Sequence, residues 1–218
     1  MKFSNVELKE EIEKGIESSE YVRTFRTAKF VSLGFIADLF ESINSQKLRL
    51  SIQADLEFLR AKRPELHTND IKVEKLVDYV KKEASKLYAV LLLVGQSHRI
   101  VLLYNNDHRV TDHIFEKGED SNAMPYCSLE YLRSMPQLGD ISDDIFEKQW
   151  CVPPVLRRET HQKFPIKLFR FPFQSQPQII GSGGWGQVYK VKVAEGHLVT
   201  DKSYINVSGL MVNEFDIN

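Results

Sequence analysis

The sequence predicts a mainly α fold, in which a helical, bundle-like amino-terminal region is followed by a carboxyl-terminal β-hairpin. Three observations lead to this prediction. Apolar residues recur every three or four positions over most of residues 30–94, and the run 89–94 is apolar on all sides. Near the carboxyl end, a glycine-rich segment separates two short β-rich runs. With 42% hydrophobic and 27% charged residues, the composition is that of a globular chain.

Helical spacing predicts amphipathic helices in the first part of the chain, over residues 4–18, 24–44, 48–59 and 73–94. Ser4 and Glu7 have the spacing of a capping box at the start of the first helix, and Pro64 stops the third. The last helix is predicted to be continuous for about six turns. Its second half is apolar all round, so it should be the buried central helix of the bundle; a strand over residues 90–94 is the alternative.

Two shorter helices are predicted further along. Ser128 is placed to cap a helix over residues 129–135. Ser142, followed by two aspartates, is placed at the start of a helix through Trp150, because acidic side chains favour the positive end of a helix. Pro153 prevents this helix from continuing.

Charge and composition exclude several classes of protein. The net charge of −1 provides no general attraction to nucleic acid or to an acidic membrane. Residues 1–20 do not have the pattern of a secretory signal, and the apolar run 88–95 is far shorter than the roughly 20 residues of a membrane helix. Cys127 and Cys151 are predicted to be free thiols in a reducing compartment, cytoplasmic or nuclear, with a single disulfide left open by the count.

A group of histidines and aspartates in the middle of the chain invites a metal hypothesis. The residues are His98, Asp107, His108, Asp112 and His113. Their spacing does not provide the closely paired ligands of a zinc site, so we predict no metal here.

The segment with the strongest chemical signal is the glycine-rich one. Gly181, Gly183, Gly186 and Val188 follow the order G-x-G-x-x-G-x-V. Glycines allow a turn to lie flat against a polyphosphate and to offer it backbone N–H groups. A dinucleotide-binding motif would open a helix here, and a phosphate loop of the Walker type would continue with Lys and Ser or Thr. Neither matches the strand-like residues after Gly186, so a phosphate-binding hairpin or an ordinary surface hairpin remains.

Residues 181–188 resemble the Gly-rich loop that opens the small lobe of eukaryotic protein kinases. Residues 189–193 look like the second strand of that lobe. Residues 87–100 and 150–156 are similar, less specifically, to the helical region that precedes the kinase domain in serine/threonine kinases of filamentous fungi. The resemblance therefore implies that the hairpin is part of a truncated kinase small lobe.

The resemblance also implies ATP as the ligand. Six residues would cradle its phosphates, namely Gly181, Ser182, Gly183, Gly184, Trp185 and Gly186, and Ile180 and Val188 would contact the adenine. The chain lacks the V-A-I-K-like lysine context, the H-R-D loop and the D-F-G motif, and the polar neighbours of Lys202 do not suit the nucleotide lysine. We therefore expect weak or absent ATP binding, no Mg²⁺ held by this chain, and no activity of the chain alone.

The predicted division of the chain is a helical regulatory or interaction region, a basic linker, the Gly-rich hairpin and a divergent tail, over residues 1–156, 157–178, 179–198 and 199–218. The loss of pattern after His197 leads to the hypothesis that a kinase domain is cut short there. The helical region is expected to have a protein partner of unknown identity, and no nucleic-acid or membrane partner is expected. The alternative function is a non-catalytic helical interaction module that carries a vestigial kinase segment.

Overall fold

The protein is mainly helical, with a small sheet near its carboxyl end, as the sequence predicts. A computed structural model describes residues 3–18, 29–41, 45–66, 68, 70–104, 109–115, 126–157, 170–174, 176–183, 186–199 and 210–213. The helices are α1 (Phe3–Ser18), α2 (Leu33–Glu41), α3 (Ser45–Lys62), α4 (Val73–Glu83), α5 (Ser85–Leu93), α6 (Arg99–Tyr104), α7 (Leu129–Ser134) and α8 (Ser142–Lys148). The strands are β1 (Leu156–Arg157), β2 (Gln178–Gly183), β3 (Gly186–Val191), β4 (Leu198–Val199) and β5 (Leu210–Asn213).

Helix α5 is the centre of the helical region. Its residues from Lys86 to Leu93 are all buried, and it contacts α1, α2, α4, α6 and α8. An all-round apolar helix can be stable in water only when other elements surround it, because each large apolar side chain removed from water contributes roughly 1.5–3 kcal/mol. The prediction of a buried central helix is confirmed, and the strand alternative for residues 90–94 is excluded.

The continuous helix predicted over residues 73–94 is wrong at one residue. Ala84 interrupts it with φ −140° and ψ 32°, so that α4 ends at Glu83 and α5 starts again at Ser85. The carboxylate of Asp112 makes this new start possible, because it accepts hydrogen bonds from the N–H groups of Lys86 at 2.9 Å and Leu87 at 2.8 Å. The apolar period continues across the break, which is why the sequence pattern does not reveal it.

The helix predicted over residues 24–44 is also shorter than expected. Residues 29–32 are not helical, and α2 begins at Leu33; residues 24–28 and 42–44 lie outside the described part. The N–H of Val31 donates to the carbonyl of Cys151 at 2.9 Å instead of entering a helix. Ser32 then accepts a hydrogen bond from the N–H of Phe35 at 3.1 Å, as a capping side chain does.

The remaining helix boundaries agree with the sequence to within a few residues. Ser128 caps α7 and accepts from the N–H of Tyr131, as predicted. Ser142 is the first residue of α8, and the capping position before it belongs to Ile141. Helix α1 already includes Phe3, so Ser4 also lies inside its helix. Neither serine therefore occupies the capping position predicted for it. Beyond α8, a 3₁₀ turn over Gln149–Cys151 takes the chain to the prolines.

The sheet at the carboxyl end has three antiparallel strands in the order β2-β3-β5. A separate parallel pair joins β1 to β4 and brings Leu156 opposite Leu198. Strand β5, which belongs to the tail, pairs with β3 and so adds a third strand to the hairpin. An isolated two-stranded hairpin would lack this support. Cys127 and Cys151 are both buried, and no disulfide joins them.

Candidate nucleotide-binding hairpin

Strands β2 and β3 form the hairpin that the glycine-rich sequence predicts. The register pairs Gly181 with Val188, Ser182 with Gln187 and Gly183 with Gly186. Gly186 therefore opens a strand and not a helix, which excludes the dinucleotide-binding alternative. Gly184 and Trp185 separate the two strands and lie outside the described residues, so their predicted roles at the tip remain predictions.

Strand β2 is the exposed edge of the hairpin. The register shifts between Ile179 and Gly181, so Ile180 occupies a bulge, a feature that increases the local twist of a strand. The side chains of Ile179 and Ile180 are 53% and 52% exposed. Ile180, which is predicted to contact the adenine, therefore has a solvent-exposed side chain. For Val188, the other predicted adenine contact, the structure describes the backbone.

Strand β3 anchors the hairpin to the helical region. Tyr189 and Val191 are buried, whereas Lys190 and Lys192 between and after them are exposed, which is the two-residue alternation of a half-buried strand. The inward side chains join a second apolar cluster, formed by Trp150, Leu156, Phe173, Tyr189 and Val191. The hairpin is therefore held from one face by residues that precede it in the chain.

Gly183 is not required by the fold. A Cβ atom built on it meets no atom of the described residues within 4 Å, and its φ lies outside the left-handed region that favours glycine. A larger residue here would meet neither backbone strain nor a collision with the described residues. The phosphate contact predicted for Gly183 remains a prediction.

The cations described near the hairpin are not placed for catalysis. Lys190 lies four residues after Gly186, about 14 Å along an extended strand, and it points to solvent. Lys202, which the sequence already made a poor nucleotide lysine, lies outside the described residues. Among the described residues, no cation is therefore placed at the tip of the hairpin.

The metal hypothesis finds no support in the described part of the chain, where no group of His, Cys, Asp and Glu could hold a metal ion. The carboxylate of Asp112 is occupied by the start of α5, where the hydroxyl of Ser85 also donates to it at 3.2 Å. The ring of His98 packs at a tilt of 54° against the ring of Phe58, with centroids 4.7 Å apart. Asp107 and His108 lie outside the described residues.

A buried polar cluster, which sequence patterns did not reveal, joins three helices. Asp55 on α3 accepts hydrogen bonds from Asn5 on α1 at 2.8 Å, from Tyr88 on α5 at 2.9 Å and from Ser97 at 2.7 Å. Burial raises the pKa of Asp55 to about 6, against the lowering effect of these three bonds. Its partners lie 33 to 50 positions away in sequence, so no local motif announces the cluster.

Fold and site together define a helical protein with a small antiparallel sheet that carries a glycine-rich hairpin. Comparison with protein-family models, with curated proteins and with solved structures finds no match for this chain. The kinase resemblance therefore rests on the motif over residues 181–188 and on the hairpin that it forms. No helix among the described residues has both the length and the apolar character needed to cross a membrane.

Proposed function

We propose that the glycine-rich hairpin binds the phosphates of ATP, in a chain that corresponds to the amino-terminal part of a serine/threonine protein kinase. The observation that carries the proposal is Gly183, a glycine with free space beside it and no conformational need to be glycine. The pairing of Gly181 with Val188 further supports it, because it puts these motif residues on adjacent strands.

The binding would use the backbone. With glycines at 181, 183 and 186, a triphosphate can approach the N–H groups of the turn closely, and Ile180 and Val188 would contact the adenine. Because no cation among the described residues is placed to neutralise the phosphates, the affinity should be low. We expect a Kd on the order of 1 mM, which corresponds to about −4 kcal/mol.

Phosphate transfer by this chain alone is not part of the proposal. A kinase needs a lysine for the α- and β-phosphates, an aspartate that receives the substrate proton and an aspartate that holds Mg²⁺. The sequence contains none of the motifs that supply these groups. The hairpin would thus be a nucleotide lid without the residues that carry out the reaction.

The test is an ATP titration followed by tryptophan fluorescence, with Trp185 as the reporter between the two strands. Gly183→Val should weaken ATP binding at least about fivefold, because the new side chain fills the space that the phosphates would use. The matched control is Gln178→Val, an exposed position on the same strand about 17 Å away, which should bind ATP as the unmodified chain does. Equal ATP affinities for Gly183→Val and the unmodified protein, or no binding at 10-fold the expected Kd, would overturn the proposal.

The alternative is a non-catalytic helical interaction module with a vestigial kinase segment. Most of the buried core lies in the helical region, where four of the described large apolar side chains are exposed, namely Val6, Phe35, Leu50 and Phe58. An intact, folded protein that fails to bind ATP would favour this alternative.

A further inference from the structure

The segment that leaves the hairpin caps the amino end of α2. The first N–H groups of a helix have no partner inside the helix. Here the N–H of Leu33 donates to Nε2 of His197 at 2.9 Å, and the N–H of Gly34 donates to the carbonyl of Glu195 at 3.1 Å. His197 lies 164 positions after Leu33 in the chain. Helix α2 therefore begins where it does because the chain returns from the hairpin to meet it.

Both nitrogens of the His197 ring are used, which defines its protonation state. Since Nε2 accepts a hydrogen bond, it carries no proton, and Nδ1 carries the proton that it donates to the carbonyl of Pro154 at 3.2 Å. The carbonyl of His197 accepts from the N–H of Leu156 at 2.8 Å, next to the β1–β4 pair. The fully buried histidine thus connects α2, the proline turn after α8, and β1.

Two glycines make this close approach possible. A Cβ atom on Gly34 would lie 2.9 Å from the Cβ of Glu195, and one on Gly196 would lie 2.9 Å from the Cβ of Leu33. Gly196 also has φ +79°, a conformation that other residues rarely adopt. Any side chain at either position would push the capping segment away from α2.

We propose that His197 is a positioning residue that couples the glycine-rich hairpin to the helical region. It acts through the segment 194–199, which begins three positions after the last residue of β3 and is hydrogen-bonded to α2, to Pro154 and to Leu156. A ligand that moves α2 would then shift the hairpin, and a ligand on the hairpin would stabilise α2, because coupling between two sites is reciprocal. The consequence for nucleotide rests on the proposed function; the coupling itself does not.

The geometry also predicts how acid breaks the coupling. A second proton on the ring would point the Nε2–H at the N–H of Leu33, and two donors cannot bond each other. Burial lowers the pKa of His197 to about 4. A cavity beside His197 is lined by three charged groups: Lys86 on α5, Asp112, whose carboxylate caps α5, and Glu195, two residues before His197. The coupling thus persists at neutral pH and opens only in acid.

The first experiment compares two substitutions by amide hydrogen exchange at pH 7. His197→Gln keeps one acceptor and one donor, whereas His197→Phe fills the space without either. We expect His197→Phe to lower the protection of β3 amides at least about tenfold and that of α5 amides by less than about twofold, and His197→Gln to leave both within about threefold. An unchanged β3 in His197→Phe, or an equal loss in β3 and α5, would refute the coupling.

Glycine substitutions provide a second test if His197→Phe does not fold. Gly196→Ala should release β3 in the same selective manner. The matched control is Gly95→Ala, since Gly95 has φ +72° and a Cβ atom there meets none of the described atoms within 4 Å. Both variants have the same backbone strain, but only Gly196→Ala collides with α2. Equal β3 protection in the two variants contradicts the proposal.

An acid titration separates the coupling from nucleotide binding. Trp150 lies in the cluster with Tyr189 and Val191, so with Trp185→Phe it is the single tryptophan and reports whether the hairpin is docked. Its emission should shift to longer wavelength below about pH 4 in this background and remain unchanged when His197→Gln is added. No ATP is present, so this result stands or fails independently of the Gly183→Val titration. An identical acid shift of the Trp150 emission with and without His197→Gln would contradict the proposal.

Discussion

The hydroxyl of Tyr88, in the middle of the central helix, donates a hydrogen bond of 2.9 Å to the carboxylate of Asp55 on α3. The same hydroxyl lies 2.8 Å from the hydroxyl of Ser51. Both side chains are buried, and α1 reaches the same carboxylate through Asn5. This buried polar cluster thus requires three helices to meet in a defined register.

Removing the hydroxyl of Tyr88 should cost stability. In Tyr88→Phe the buried carboxylate of Asp55 loses one of its three donors, and an unmet buried hydrogen bond costs about 1–3 kcal/mol. Urea unfolding would measure this loss. The control is Tyr104→Phe, because the hydroxyl of Tyr104 makes just one long contact, 3.5 Å from Arg109, within the described part of the chain. This substitution should change the free energy of unfolding by less than about 0.5 kcal/mol. Equal losses in the two variants would contradict the role of the cluster.

The pH dependence of stability should show two opposing contributions. The folded pKa of Asp55, about 6, lies above its unfolded value of ~3.9, so its contribution is complete below pH ~4 and is lost as the pH rises through 6. The folded pKa of His197, about 4, lies below its unfolded value of ~6.5, so its contribution is complete above pH ~6.5 and is lost as the pH falls through 4. Each contribution is about 3 kcal/mol at most.

Single substitutions should separate these contributions. Asp55→Asn should leave a protein that loses stability steeply between pH 6.5 and 4, whereas His197→Gln should leave one that gains stability over the same interval. Burial also raises the pKa of Asp112, which acts in the same direction as Asp55. Urea unfolding at several pH values would measure the slopes. Parallel stability curves for the two variants would contradict the assignment.

Asp112 should be needed for the second half of the broken helix. Asp112→Ala removes the acceptor of two backbone N–H groups and of Ser85, and we expect a loss of about 2 kcal/mol, at the upper end for a helix cap. Thermal unfolding by circular dichroism would show it. Asp143→Ala is the control, since Asp143 is an exposed acid in the first turn of α8 and should cost less than about 1 kcal/mol. An equally small loss in Asp112→Ala would show that α5 starts without this cap.

The burial of α5 predicts a large difference between two leucines. Leu91 is fully buried and Leu50 is 48% exposed. Leu91→Ala should lower the free energy of unfolding by about 2–5 kcal/mol, and Leu50→Ala by less than about 0.5 kcal/mol. Leu91→Asp should prevent folding, because it would bury a charge without a partner. A folded Leu91→Asp protein with unchanged helix content would show that α5 is not the core.

The hairpin should be less protected from exchange than the central helix. Strand β2 is an exposed edge, and β3 buries only Tyr189 and Val191 among its described side chains, whereas α5 is buried on every side. Native-state hydrogen exchange should therefore give larger protection factors for α5 than for β3. The reverse order would mean that the sheet and not the helix is the stable centre.

The helices and strands that the sequence predicted correctly are those that depend on local residue patterns. Apolar residues three and four positions apart gave α3 and α5, and the run around Leu91 indicated burial on all sides. Glycine and β-branched residues indicated two strands around residues 184–185. The sequence presents Asp112 only as a candidate metal ligand, because its acidic type is visible in the sequence and the helix that it contacts is not. In the sequence, His197 is only the residue after which the kinase-like pattern is lost.

The sequence by itself determined where the main helices and the two hairpin strands lie and which side of each is apolar, because these properties depend on residues within a few positions of each other. Only the tertiary structure decided where α5 and α2 begin. Asp112 lies 26 positions from the amide of Lys86, and His197 lies 164 positions from the amide of Leu33. A helix can start wherever its free N–H groups find an acceptor, and in this chain folding brings those acceptors from far along the sequence.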